Sequence, residues 1–193
     1  MAGADIVIAF KGQDLKRFDN AIKALGSKKA RDVYRLAINR TIDGAFTKVK
    51  PALAKQVGLS QAKTIAKGGV RKIRANYSAL EGKIVSRGRH ISLKEFKPRQ
   101  FKAGTKASPW GKRQLFESAF MGPRPGAVAV KLAGHVFVRS SSDRHPIEKL
   151  WGPAVPVEMV KEESAAAFES ASRTIFPRRV EHEIKRLSKG VFT

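Results

Sequence analysis

Residues 127–164 carry a run of local signals that leaves the chain few ways to fold there. Ala127-Val128-Ala129-Val130-Lys131-Leu132 alternates, Ala133-Gly134 breaks the pattern, and His135-Val136-Phe137-Val138-Arg139 alternates again. Val128, Val130 and Leu132 then share one strand face, and Val136 and Val138 pair with them across a tight turn. After a polar loop comes an apolar elbow, Pro146-Ile147-Glu148-Lys149-Leu150-Trp151-Gly152-Pro153, whose prolines and glycine restrict the backbone. Pro156 stands where a helix accepts proline, in its first turn. The stretch therefore predicts a hairpin, then an elbow formed by Pro146, Ile147, Leu150, Trp151, Gly152 and Pro153, then a helix. The apolar setting of Trp151 predicts a buried ring. These signals are structural, not catalytic.

Ahead of this stretch, Ile6-Val7-Ile8-Ala9-Phe10 reads as a short strand. Asp14 is placed to cap a helix bearing Leu15, Phe18, Ile22 and Leu25, which Gly26 stops. Ala30, Val33, Tyr34, Ala37, Ile38, Ile42, Ala45, Phe46 and Val49 keep one face of a second, long helix apolar. Pro51 predicts a kink or break in that helix, and Gly58 its end. Ser60 is placed to cap a last short helix running to Lys67, before Gly68-Gly69. Residues 82–87 and 91–96 are strand-like, and Gln114 to Phe120 resumes a short apolar strand. Downstream, Val157, Val160, Ser164, Ala167, Phe168, Ala171 and Ile175 fall at helical intervals. Glu158, Glu162 and Glu163 lie in the first turns, where the helix dipole favours acids. Pro177 interrupts that helix.

Charge narrows the possible partners. The chain of 193 residues has a formal net charge of +23 and an isoelectric point near 10.8. Residues 48–113 contain 18 Lys or Arg against two acids, Glu81 and Glu95, which places +16 in 66 residues. Self-repulsion at such a density points to a polyanionic partner, nucleic acid first. Between Lys97 and Arg113 the pattern turns loop-like, with Pro98, Gly104, Pro109 and Gly111. That segment predicts a basic arm or long hairpin, with Phe96, Phe101 and Trp110 as anchors, that a partner orders.

Sites of chemistry are scarce. There are no cysteines, so disulfides, thiol catalysis and thiolate metal sites are excluded. The histidines, His90, His135, His145 and His182, do not fall at metal-binding intervals. Neither a Walker loop nor a Gly-x-Ser-x-Gly element occurs. Gly68-Gly69 reads as a helix stop rather than a phosphate cradle, and residues 53–73 make a poor helix-turn-helix. The expectation is a protein without enzymatic activity, metal or cofactor. No stretch is apolar enough to span a membrane, and the first residues lack a signal peptide's hydrophobic region, which predicts synthesis in the cytoplasm.

Several segments together resemble the minor tail protein Z family of tailed phages and prophages. They are Ala37-Ile38-Asn39-Arg40-Thr41, Gly58-Leu59-Ser60, Trp110-Gly111-Lys112-Arg113, His135-Val136-Phe137-Val138-Arg139 and Pro146-Ile147-Glu148-Lys149-Leu150-Trp151-Gly152-Pro153. Their order and spacing are similar over nearly the whole chain, although Trp151 stands where the family carries a smaller aromatic. The resemblance implies a virion component that completes the tail at its head-proximal end, as a ring following the tail's sixfold symmetry. Tail terminator and head-tail connector proteins would be its neighbours, and the end of the packaged genome would pass close by.

The residues and the resemblance converge on a single α+β domain. A small, mainly antiparallel sheet is packed by a long N-terminal helix and a C-terminal helix, with a basic extended segment at about 68–113. The cations expected to face duplex DNA, or acidic surfaces of adjacent rings, are Arg71, Lys72, Arg74, Arg87, Arg89, Lys97, Arg99, Lys102, Lys106, Lys112 and Arg113. Phosphate attraction is sequence-independent, so a ring lined by them surrounds DNA without reading bases. The competing expectation is a free, sequence-independent nucleic-acid-binding protein of ribosomal or nucleoid type.

Overall fold

A helix whose apolar residues recur every three to four positions must bury that stripe, and the first long helix does so against the last one. The computed structural model describes residues 4–8, 26–126 and 129–188. Helix α1, Ser27–Val57, buries Val33, Ala37, Ile42, Ala45, Val49, Leu53 and Val57 completely. It runs unbroken through Pro51, contrary to the expected break. Pro51 and Thr47, whose carbonyl lies one turn back and loses its donor, are both exposed residues, so the break is not forced by burial of that carbonyl's neighbourhood. Gly58 ends α1 in the left-handed conformation, with φ at 85°. Ser60 caps α2, Gln61–Gly68, its side chain accepting from the Lys63 N–H, and left-handed Gly69 stops it.

The partner of α1 is α4, Glu162–Ser188, which also continues through its proline, Pro177. Lys55 meets Glu163, Gly44 lies against Ile175, and Arg40 meets Glu183, so the two helices run antiparallel. Gln56 knits one end of the pair. Its amide donates to the Glu158 carbonyl at 2.9 Å, and its Oε1 accepts from the Ser164 hydroxyl at 2.7 Å. The C-terminal helical segment, expected to be interrupted at Pro177, is instead divided between Met159 and Glu162. Helix α3, Val155–Met159, carries Pro156 in its first turn as expected, and the chain bends before Glu162, whose φ is 44°.

All strand pairings are antiparallel and the sheets are small. Strand β3, Gly82–Ser86, lies between β1, Ala4–Ile8, and β2, Arg71–Ile73. A Cβ at Gly82 would stand 2.5 Å from Ile42 Cγ1, so the glycine lets β3 seat directly on α1. The expected strand at 91–96 is a short one, β4, His90–Ser92, followed by a 3₁₀ turn, Leu93–Phe96. Strands β5, Arg99–Phe101, β6, Gly104–Ala107, and β7, Gln114–Glu117, form a meander. The basic segment thus takes the hairpin form, with Thr105 and Ala107 fully buried and the Thr105 hydroxyl donating to the Ala119 carbonyl at 2.8 Å.

The expected hairpin of residues 127–139 does not form. Ala127 and Val128 lie outside the described residues, Val130–Leu132 is a 3₁₀ turn, and Val130 is 86% exposed. Left-handed residues at Ala133 and Gly134 swing the chain away. Strand β8, Phe137–Arg139, instead pairs with β9, Ile147–Lys149, while Val136 enters the core. The elbow is therefore β9, Leu150 and β10, Trp151–Ala154, the last pairing with β4. Gly152 and Pro153 are buried, Ile147 and Leu150 partly so, and Pro146 is exposed. Trp151 is 51% exposed, against the expected burial, because strand alternation turns its ring outward when Gly152 faces Phe96. The predicted helix around residues 14–25 lies outside the described residues.

Candidate nucleic-acid interface

The eleven candidate cations fall on three parts of the surface. Arg71, Lys72 and Arg74 lie on or just after β2, an edge strand of its sheet, and all are exposed. Lys72 and Arg74 both pair with Asp43 on α1, Arg74 at 2.9 Å. Burial pushes the Asp43 carboxyl up, but hydrogen bonds from the two cations outweigh it and hold the group below its ordinary range.

Arg87 and Arg89 form the second group, on the bend between β3 and β4. The Arg87 N–H and the Ser86 hydroxyl both donate to the Gly68 carbonyl, at 3.1 and 2.7 Å. A groove of about 420 Å³ lies beside the bend, lined by Lys67, both arginines, His135, Glu95 and Trp151 among others. Glu95 also lines a neighbouring groove of about 520 Å³ that holds Lys97.

The third group is on the meander. Arg99 and Lys106 stand directly opposite each other across β5 and β6, a like-charge pair that destabilises the ladder until an anion screens it. The Lys106 ammonium lies 5.3 Å from the Phe101 ring centre. Lys102 is on the turn joining the two strands, and Lys112 and Arg113 precede β7. The Arg113 guanidinium donates to the Lys97 carbonyl at 3.0 Å.

Pairing separates these residues more sharply than position does. Among the described residues only Lys72 and Arg74 of the eleven have a carboxylate partner. The other nine are exposed and form no ion pair with a described residue. Elsewhere acids are already engaged. Glu95 accepts from Lys67 at 3.2 Å and Lys63 at 3.3 Å, and those two bonds, Lys67's first, hold its carboxyl below the ordinary value of 4.5. Because the folded-state value is the lower one, Glu95 stabilises the fold above pH 4.5 and ceases to as the pH falls through the folded value. Thermal midpoints followed from neutral to acid pH should fall less steeply in Glu95→Gln than in the unaltered protein; parallel curves would assign the acid loss to other carboxylates.

One pairing invites a catalytic comparison. Ser92 Oγ lies 2.8 Å from His135 Nδ1. The far ring nitrogen faces the Lys149 ammonium at 3.4 Å rather than a carboxylate. Burial, then Lys149 and Lys94, push the imidazole below its ordinary value, the opposite of what activates a serine. The pair braces β4 against the 130s loop. Among the described residues no group of three His, Asp or Glu is placed to hold a metal, and no helix is long and apolar enough to cross a membrane.

Two further groove residues escaped the sequence reading, Lys67 and Trp151 as an exposed ring, and so did Lys149, which lies over that ring. The signal was present in Lys149-Leu150-Trp151, since positions two apart on a strand share a face. The Lys149 ammonium indeed lies 4.4 Å from the indole centre. What the geometry defines is a cationic surface of fixed backbone and free charges, suited to a polyanion. Compared with known proteins, the chain matches no family model, no curated protein and no solved structure.

Proposed function

We propose that the chain is a structural virion protein that completes a phage tail at its head-proximal end, assembling as a ring, hexameric by the tail's symmetry, beside the end of the packaged genome. Tail terminator and connector proteins are its proposed neighbours. The observation that carries the reading is the set of nine exposed cations without a described acidic partner. Uncompensated charge at this density favours assembly around a polyanion. The resemblance of ordered segments, from Ala37-Ile38-Asn39-Arg40-Thr41 to the elbow, to the tail protein family suggests the virion context.

Duplex binding tests the electrostatic half. If about six phosphates are neutralised, affinity should fall roughly a thousandfold between about 50 and 200 mM salt, without sequence preference. Replacing Arg87, Arg89, Arg99 and Lys106 by Gln should flatten the log–log slope by about 0.9 for each phosphate no longer neutralised. A salt-independent affinity, or selectivity for one sequence, would count against it. Sedimentation tests the virion half: the protein should travel with tail particles, whereas travel with ribosomes or nucleoid would favour the free nucleic-acid-binding alternative.

A further inference from the structure

An exposed tryptophan beside cations that lack partners is unusual on a surface with nothing to bind, and here the backbone around it is braced. Gly88 lies so close to α2 that a Cβ there would stand 2.6 Å from the Lys67 carbonyl oxygen, which holds the Arg87-Gly88-Arg89 bend against the helix end. On the near side the Arg87 N–H donates to Gly68. On the far side His90 Nδ1 lies 3.0 Å from the Gly152 carbonyl oxygen, tying the bend to the strand that bears Trp151. The backbone that carries the two arginines and the indole is therefore held in place before any ligand arrives, which lowers part of the ordering penalty of binding.

We propose that this groove binds single-stranded nucleic acid, with a base stacked on Trp151 and the flanking phosphates held by Arg87 and Arg89. The inference rests on the nucleic-acid reading above and adds the strand type. A duplex hides the faces of its bases, whereas an unpaired base offers one to an aromatic ring, and arginine forks match phosphate oxygens. The groove's carboxylate, Glu95, is already neutralised by Lys63 and Lys67, so it does not repel the strand. Trp151 keeps half its surface open with Lys149 in place over the ring, and Lys149 has no carboxylate partner among the described residues. An acidic protein segment would satisfy the arginines but would gain little from the indole.

The test measures binding of the full chain to a labelled oligothymidylate and to a labelled duplex at several salt concentrations. Trp151→Ala should weaken oligothymidylate binding roughly tenfold to a hundredfold and change duplex binding by less than about twofold, while Trp151→Phe retains most of the single-strand affinity. Arg87→Gln and Arg89→Gln should each lower the single-strand salt slope by about 0.7. Equal oligothymidylate affinity in Trp151→Ala and the unaltered protein would overturn the proposal, as would loss of both ligands by one factor. Displacement of the oligothymidylate by polyglutamate at equal charge would assign the groove to an acidic protein. Duplex binding with no single-strand binding would sink the groove alone; binding of neither ligand at low salt would sink the nucleic-acid reading as well.

Discussion

Phe96→Ala should lower the unfolding free energy by roughly 3–5 kcal/mol, whereas Trp151→Ala should change it by less than about 1 kcal/mol. The two aromatics sit on either side of the same elbow and their burial is opposite. Phe96 is 1% exposed and closes the 3₁₀ turn that follows β4. The elbow packs on it through Gly152, where a Cβ would stand 2.7 Å from Phe96 Cε2, so backbone lies nearly against the ring. Truncation to alanine leaves a cavity that neither the strand nor the turn can fill without breaking the β4–β10 pairing. Trp151 presents half its surface to solvent, and its removal costs mainly the cation–π interaction with Lys149. Urea unfolding midpoints of the two variants, compared at equal m-value, decide the matter. Equal losses would return Trp151 to the core.

The second large effect lies between the long helices. Glu183 is fully buried, with Arg186 at 2.8 Å from Oε2 and Arg40 at 3.1 Å from Oε1. Both arginines are about half exposed, so the cations reach water and the carboxylate does not. Removing both in Arg40→Ala/Arg186→Ala leaves a buried charge without its strongest partners, and should destabilise the protein by about 3 kcal/mol. Glu183→Gln takes away the charge that must be desolvated and should cost less than the double arginine variant. Were Glu183→Gln the more damaging, attraction across the pair would outweigh the burial penalty, and this account of the interface would be wrong. Thermal or chemical unfolding of the three variants separates the cases.

Elements set by neighbours in sequence were legible before the structure. The stripe from Val33 to Val49, the Gly58 stop, the Ser60 cap and the proline at the start of α3 all rest on interactions within one or two turns. Features that depend on distant pairing were not. Residues 130–132 alternate like a strand, but β8 finds its partner in β9 and the left-handed Ala133 redirects the chain. Pro51 looked like a kink or break because sequence does not reveal that it and Thr47, one turn back, lie on the exposed side of the helix. Trp151 looked buried because its neighbours are apolar, yet alternation gives the inward position to Gly152. Composition identified the candidate cations as a set. Their division into paired and unpaired members turned on Asp43, which is 29 residues from Lys72 and 31 from Arg74 in the chain.

The antiparallel pairing of α1 with α4 has a consequence for how the protein is made. The residues that knit the two helices, Gln56 and Ser164, are 108 positions apart. Until α4 has been synthesised, the face of α1 that packs against it has no other long helix among the described residues to cover it. Between the synthesis of α1 and that of α4, the nascent chain therefore carries the α4-facing part of the α1 stripe uncovered, beside its most basic segment. Closing that long loop is the late, slow event expected of distant contacts. During that interval the chain's own positive charge opposes association with its copies.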